Sequence, residues 1–267
     1  MTRKSLLHNE PIANKDEILV KGASAHHLVT VLRVKRGEQI EVRDGLGTAW
    51  LGEVTGRSRQ GISVRKLRSR IDSSESSLSL TLAVAYGRTD RMDLILRQAT
   101  ELGVTRVVPF RAARSQYGLD DKQLKQRGIR WARIAGEALR QSGRANLPSI
   151  EPLQDVEALL VKIPEWGFKG ADCLRILAWE EEHQQGLLSL WRQCPHSTRV
   201  LVAIGPEGGF TREEAALFCG AGFFPVSLGP RTLRLETAAT ALLTVCQLLW
   251  GDLACQRSDW GDLPEKA

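Results

Sequence analysis

The sequence predicts an α/β protein in which a mostly parallel sheet covered by helices follows a smaller β-rich domain. Three observations carry that reading. Beyond residue 78, apolar strand-like runs alternate with helical periodicity, the pattern of strands joined by crossover helices. Before it, short β-rich stretches are separated by turn residues. Between them, Asp72-Ser73-Ser74-Glu75-Ser76-Ser77 breaks both periods and has the polar composition of an exposed linker. The boundary therefore falls near residue 74, giving domains 1–73 and 74–267.

In the first domain, strands are expected over 38–43, 48–54 and 62–67, with Asp44-Gly45 as the hairpin turn between the first two. A short helix is expected around 25–32. In the second, 78–86 reads as a buried strand. Met92, Ile95, Leu96, Ala99 and Leu102 recur at helical spacing, with Asp90 as a cap and Gly103 as the stop. A strand over 104–110 and a helix carrying Trp131, Ile134, Ala135, Ala138 and Leu139 follow, the helix ending near Gly143. Strands are expected over 174–179 and 200–204. Thr211-Arg212-Glu213-Glu214 then opens a helix with a capping box, and Gly220 and Gly222 bound its far end. The last helix, 237–250, is apolar around nearly its whole circumference, which calls for cover on more than one side, by the sheet and by a second subunit.

Charge divides the chain in the same place. The net charge is +6, yet residues 1–70 alone hold fourteen Lys/Arg against seven Asp/Glu. A basic first quarter joined to a near-neutral remainder suits a module that binds a polyanion, nucleic acid above all; arginines on solvated strand faces are the competing explanation. Five cysteines without paired spacing fit reduced thiols better than a disulfide framework. The histidines show no His-x-x-x-His spacing, so no metal centre is expected. No run approaches eighteen apolar residues and Met1 to Ser5 lacks an apolar leader core, so no membrane association and a cytoplasmic location are expected.

Two glycine-bearing segments carry the chemistry. Gly205-Pro206-Glu207-Gly208-Gly209 follows the apolar run Leu201 to Ile204, and Ser227-Leu228-Gly229-Pro230-Arg231-Thr232-Leu233-Arg234 follows Phe224 to Val226. Each marks the carboxyl end of a buried strand, where open α/β sheets bind ligands. Glycine brings bare N–H and C=O groups close to a ligand, a means of reading the edge of a flat heterocycle. The first loop has neither the lysine of a phosphate-cradling loop nor the dinucleotide-binding spacing. A plain strand-to-helix turn would look similar in isolation; two such loops in one C-terminal half favour a site.

Four blocks give the chain a family resemblance: Asp90-Arg91-Met92-Asp93 through Glu101-Leu102-Gly103-Val104; Arg130-Trp131 through Gln141-Ser142-Gly143-Arg144; Gly205 to Gly209; and Leu228 to Ala238. In this order and combination the sequence resembles the RsmE family of ribosomal RNA methyltransferases in the SPOUT superfamily. The N-terminus and the tail after Gly251 depart from the family pattern, as does Arg91, which stands where a lysine is common and is expected to affect only the charge of its helix.

The resemblance implies a SPOUT-type trefoil-knotted α/β methyltransferase domain, an N-terminal PUA-like β-barrel and a homodimer. It further implies methylation of uridine N3 in 16S ribosomal RNA of the small ribosomal subunit, with S-adenosylmethionine as donor and no metal. On that reading Gly205, Glu207, Gly208, Leu228, Gly229 and Leu233 line the donor pocket. Removing the N3 proton leaves negative charge on the ring, and Arg234 is the candidate to stabilise it; a structural ion pair from Arg234 to Glu236 or Glu207 is the alternative. Arg33, Arg36, Arg114 and Arg144 are the candidates for RNA phosphate contacts. Two other readings compete: a ribose 2′-O-methyltransferase of the same superfamily, and a non-catalytic assembly factor that binds ribosomal RNA. A pure binder has no need of the two donor loops.

Overall fold

The computed structural model describes residues 4–70, 74–115 and 121–254. The first domain holds strands β1 (Ser5–Leu7) and β2 (Glu17–Val20), helix α1 (Gly22–His26) running into a π-helical turn over His27–Val31, and strands β3 (Gln39–Arg43), β4 (Ala49–Ser58) and β5 (Gly61–Arg70). They form one five-stranded sheet in the order β1-β3-β4-β5-β2, antiparallel except where β1 runs beside β3. Alternating residues such as Ile18, Val20, Ile40, Val42, Ile62 and Val64 turn inward onto Trp50 and Leu28. Burying such a set contributes roughly 2 kcal/mol per large side chain before the entropy cost of ordering it.

The turn after β3 is a five-residue loop rather than a two-residue one. Asp44 nucleates it by accepting from the N–H groups of Leu46 (2.9 Å) and Thr48 (3.0 Å), and Gly45 takes φ +73°. β1 and β2 escape the sequence reading because three- and four-residue strands are too short to show a period.

The second domain runs β6 (Ser79–Ala85), α2 (Thr89–Glu101), β7 (Val104–Arg111), α3 (Asp121–Ser142), the short strands β8 (Ser149–Ile150) and β9 (Gln154–Asp155), α4 (Val156–Lys162), β10 (Cys173–Ala178), α5 (Leu187–Gln193), β11 (Arg199–Ile204), α6 (Arg212–Gly220), β12 (Phe224–Val226) and α7 (Leu235–Leu249). All seven strands are parallel, in the order β12-β10-β11-β6-β7-β8 with β9 also on β7. Helices cover both faces. On one, α2, α3 and α7 bury Met92, Ile95, Trp131, Ile134, Leu242 and Cys246 against β6 and β11. On the other, Phe110, Phe210, Phe218 and Phe223 form a ring cluster, Phe210 meeting Phe218 edge-on at 5.2 Å.

Two local expectations change. Asp90 does not cap α2: the N-cap position is Arg88, and Asp90 sits in the first turn, ion-paired to Arg88 at 3.3 Å. There its charge still complements the helix dipole. The described part of the serine-rich stretch is not a loose exposed linker either. Ser76 donates to Gln247 of α7 (2.8 Å), and the Glu75 carboxylate takes Arg144 and the amides of Ala145 and Asn146. Within the single chain the last helix buries a broad stripe, and Leu248 is 49% exposed.

Candidate functional site

Because the sheet is parallel, every strand delivers its carboxyl end to one edge. β11 ends in Gly205–Phe210 and β12 in Ser227–Arg234, and these strands are the two neighbours of β10. Strands lie about 4.8 Å apart, so the two loops emerge roughly 10 Å from each other. The end of β10 fills the floor between them. Trp179 donates its amide to Val226 (3.1 Å), and Ser227 donates to the carbonyl of Gln185 (2.8 Å). The 182–185 turn is held by Glu182, whose carboxylate accepts from the amides of Gln184 and Gln185, and those two bonds hold the acid below its ordinary range.

The first loop is braced at several points. Gly209 closes its turn by donating to Pro206 (2.9 Å) at φ +71°. Thr211 and Glu214 form the expected capping box at the start of α6, and the buried Glu214 carboxylate also accepts from the amide of Ala113 (2.7 Å) beyond β7. Arg114 donates from Nη1 to the carbonyls of Gly208 (2.8 Å) and Phe210 (3.3 Å).

Glycine serves two purposes here. A Cβ at Gly205 would lie 2.9 Å from the Phe210 ring, so packing requires glycine there, while one at Gly208 would lie 3.2 Å from Arg114, a close approach that a small shift of the arginine relieves. At Gly229, φ is +102° and nothing lies within 4 Å of the Cβ position, which leaves bare backbone facing open space. Leu228 and Leu233, half-buried against the core, flank it. An exposed peptide between two apolar side chains suits a flat heterocycle, the chemistry of a nucleoside-bearing ligand.

The acidic residues of the site are gathered by a group the sequence reading passed over. Arg91, in the first turn of α2, lies 2.5 Å from Glu207 Oε1 through Nη1 and 3.8 Å from Glu236 Oε2 through Nε. Arg234, the candidate to stabilise charge on the ring, stands exposed at the N-cap of α7, and its side chain makes no hydrogen bond or ion pair with any described residue, so the alternative of a structural ion pair to Glu236 or Glu207 is not what the structure holds. The view of Arg91 as a matter of helix charge alone is thus corrected. A separation of 116 residues from Glu207 hid the pair; the one signal available was that two acids on neighbouring loops need a cation.

The phosphate candidates separate. Arg33 and Arg36 are exposed on the first domain, and Arg114 is exposed beside the first loop. Arg144 is not at the surface. It is 2% exposed and donates to the carbonyls of Thr100 (2.8 Å) and Val104 (3.0 Å) and to Glu75 (2.9 Å). A guanidinium with that set of partners is a structural bolt, because leaving its donors unmet would cost more than an RNA contact returns. Among the described residues no three His, Cys, Asp or Glu side chains converge as a metal-ligand set, and no helix is long and apolar enough to cross a membrane.

Comparison with known proteins fits this geometry. Residues 74–247 match the RNA methyltransferase domain family, and residues 20–67 match the RNA methyltransferase PUA domain. A Bacillus subtilis protein named ribosomal RNA small subunit methyltransferase E is 30% identical over 254 residues, covering 92% of this chain and 97% of that protein. The chain belongs to this RNA methyltransferase family. The Neisseria gonorrhoeae ribosomal RNA small subunit methyltransferase E, solved bound to S-adenosyl methionine, superposes with a TM-score of 0.82 at 29% identity, covering 94% of this chain and 99% of that one. A Legionella pneumophila methyltransferase in complex with the same cofactor gives 0.83 at 28% identity, over 95% and 100%. The architecture is therefore the SPOUT methyltransferase fold with an N-terminal PUA domain.

Proposed function

We propose that this protein transfers a methyl group from S-adenosylmethionine to N3 of a uridine in 16S ribosomal RNA of the small subunit. The observation that carries the reading is the convergence of the two glycine loops on either side of β10, at the ligand-binding edge of a family methyltransferase domain. Uridine as the target base rests on the four sequence blocks, and small-subunit RNA is supported by the names of the relatives.

The donor supplies an electrophilic methyl, so the chain has to hold, orient and stabilise. Gly205, Glu207 and Gly208 form one wall of the pocket, and Leu228, Gly229 and Leu233 the other. Arg234 and the N-terminus of α7 place positive charge where the ring becomes anionic as its N3 proton leaves. Arg33 and Arg36 on domain 1–73 grip phosphates, while domain 74–267 carries the chemistry; Arg114 divides its donors between the first loop and the RNA. The partly open apolar stripe of Ala241, Val245 and Leu248 on α7 is the face that a second copy would cover in a homodimer. The family resemblance implies a trefoil knot in this C-terminal part, where β12 joins the sheet edge beside β10, and the protein works in the cytoplasm, where small subunits are assembled.

Mass analysis of 16S ribosomal RNA from cells with and without the gene tests this. Loss of one base methyl on a uridine is expected. Loss of a ribose methyl, or unchanged RNA, would overturn the reading.

A further inference from the structure

Three strand ends meet at one guanidinium. Arg91 follows β6, Glu207 follows β11, and Glu236 opens the helix that follows β12. The Arg91 side chain is 22% exposed and that of Glu236 17%, while Glu207, at 31%, closes the cluster on its solvent side. Glu236 Oε2 is buried and has no hydrogen-bond partner, which leaves the Arg91 charge at 3.8 Å as its compensation. Glu207 in turn lies over Gly87, where a Cβ would stand 3.5 Å from its Oε1 and 3.2 Å from Leu235. Side chains from all three elements are therefore packed into one contact.

We infer that Arg91 is a positioning residue for the donor: by holding Glu207 and Glu236 together it fixes the spacing of the two loops that wall the pocket. Two carboxylates brought to one cation repel each other once it is removed. The loops then separate, or one acid takes up a proton. The guanidinium spans both acids, bonded to Glu207 through Nη1 with Nε 3.8 Å from Glu236, whereas a lysine is a single point charge. The inference rests on the donor reading above and adds to it a residue that never touches the donor.

The test compares Arg91→Ala and Arg91→Lys with the wild type by donor calorimetry, by single-turnover methyl transfer at saturating donor, and by hydrogen exchange at the amides of 205–211 and 228–234. Arg91→Ala is expected to weaken donor binding at least tenfold, with transfer at saturation within threefold of wild type and exchange in both loops about tenfold faster; Arg91→Lys falls between. Donor affinity within twofold of wild type in both variants, with only a lower melting temperature, would overturn the inference. If the wild type binds no donor, the donor reading fails by itself, and the clamp is judged by exchange: faster exchange in both variants supports it and unchanged exchange refutes it.

Discussion

Glu75 closes over Arg144 at 2.9 Å where the chain passes from the first domain to the second. The same carboxylate accepts from the amides of Ala145 and Asn146, while Ala145 and Leu147 exchange backbone bonds with Gly47 and Gly45 of the first domain. This ion pair thus braces the seam between the first-domain sheet and the methyltransferase domain. Removing one partner of a pair this buried leaves uncompensated charge, a loss of about 3–5 kcal/mol. Arg144→Ala should lower the melting temperature by roughly 6–15 °C. The salt dependence of RNA binding, measured well below that temperature, should keep its wild-type slope; a slope reduced by about one would restore Arg144 as a phosphate contact.

Arg33 presents the opposite case. It is the one non-glycine residue described with positive φ, +49°, and it sits where the helical turn ends, with Leu32 donating to His27 and Val34 donating to Leu28. That is a left-handed C-terminal cap, a position where glycine is cheapest. An arginine there costs about 1 kcal/mol, while its side chain is exposed and bonded to no described residue. Arg33→Gly should therefore stabilise the first domain by up to about 1 kcal/mol in urea unfolding and weaken RNA binding, with a salt slope smaller by about one. Stabilisation without loss of RNA affinity would remove Arg33 from the interface.

These two arginines show what the sequence could and could not disclose. Long periodic elements and both glycine loops were legible because helical spacing and strand-exit glycines are local signals. The capping box of Thr211 and Glu214 was legible for the same reason. Arg144 was misread because burial of a charge depends on partners 40 and 69 residues away, which no window of sequence joins. Arg91, whose partner Glu207 lies 116 residues away, reads as helix charge alone for the same reason. The short helices α4 and α5, seven residues each, carry too few turns for a period to emerge.

The 182–185 turn predicts a pH dependence for the site. The amides of Gln185 and Gln184 hold the Glu182 carboxyl below its ordinary value, and Gln185 in turn accepts the amide of Ser227 at the start of the second loop. A depressed acid contributes stability that is fully present above its ordinary pKa and is lost as pH falls through the lowered, folded-state value. Donor affinity of the wild type should therefore hold above the ordinary glutamate value of 4.5 and decline as the pH falls below it. Glu182→Gln should start weaker at neutral pH and stay flatter through that window. Superimposable pH profiles for the two proteins would show that the turn does not transmit its titration to the pocket.

Arg234 offers the sharpest separation of binding from chemistry. Its side chain is exposed, bonds to no described residue, and sits at the N-cap of α7, where the helix dipole already favours negative charge. A group that acts only on charge developing in the transition state should change the rate and leave ground-state binding alone. Arg234→Ala should slow single-turnover methyl transfer by about 100-fold, the scale of losing one stabilising donor, with donor affinity within twofold of wild type. Arg234→Lys keeps the charge without the fork of donors and should recover part of the rate. Raising pH assists N3 deprotonation, so the deficit of Arg234→Ala should narrow as the pH is raised. A variant that loses donor affinity in proportion to rate would instead make Arg234 part of the pocket wall.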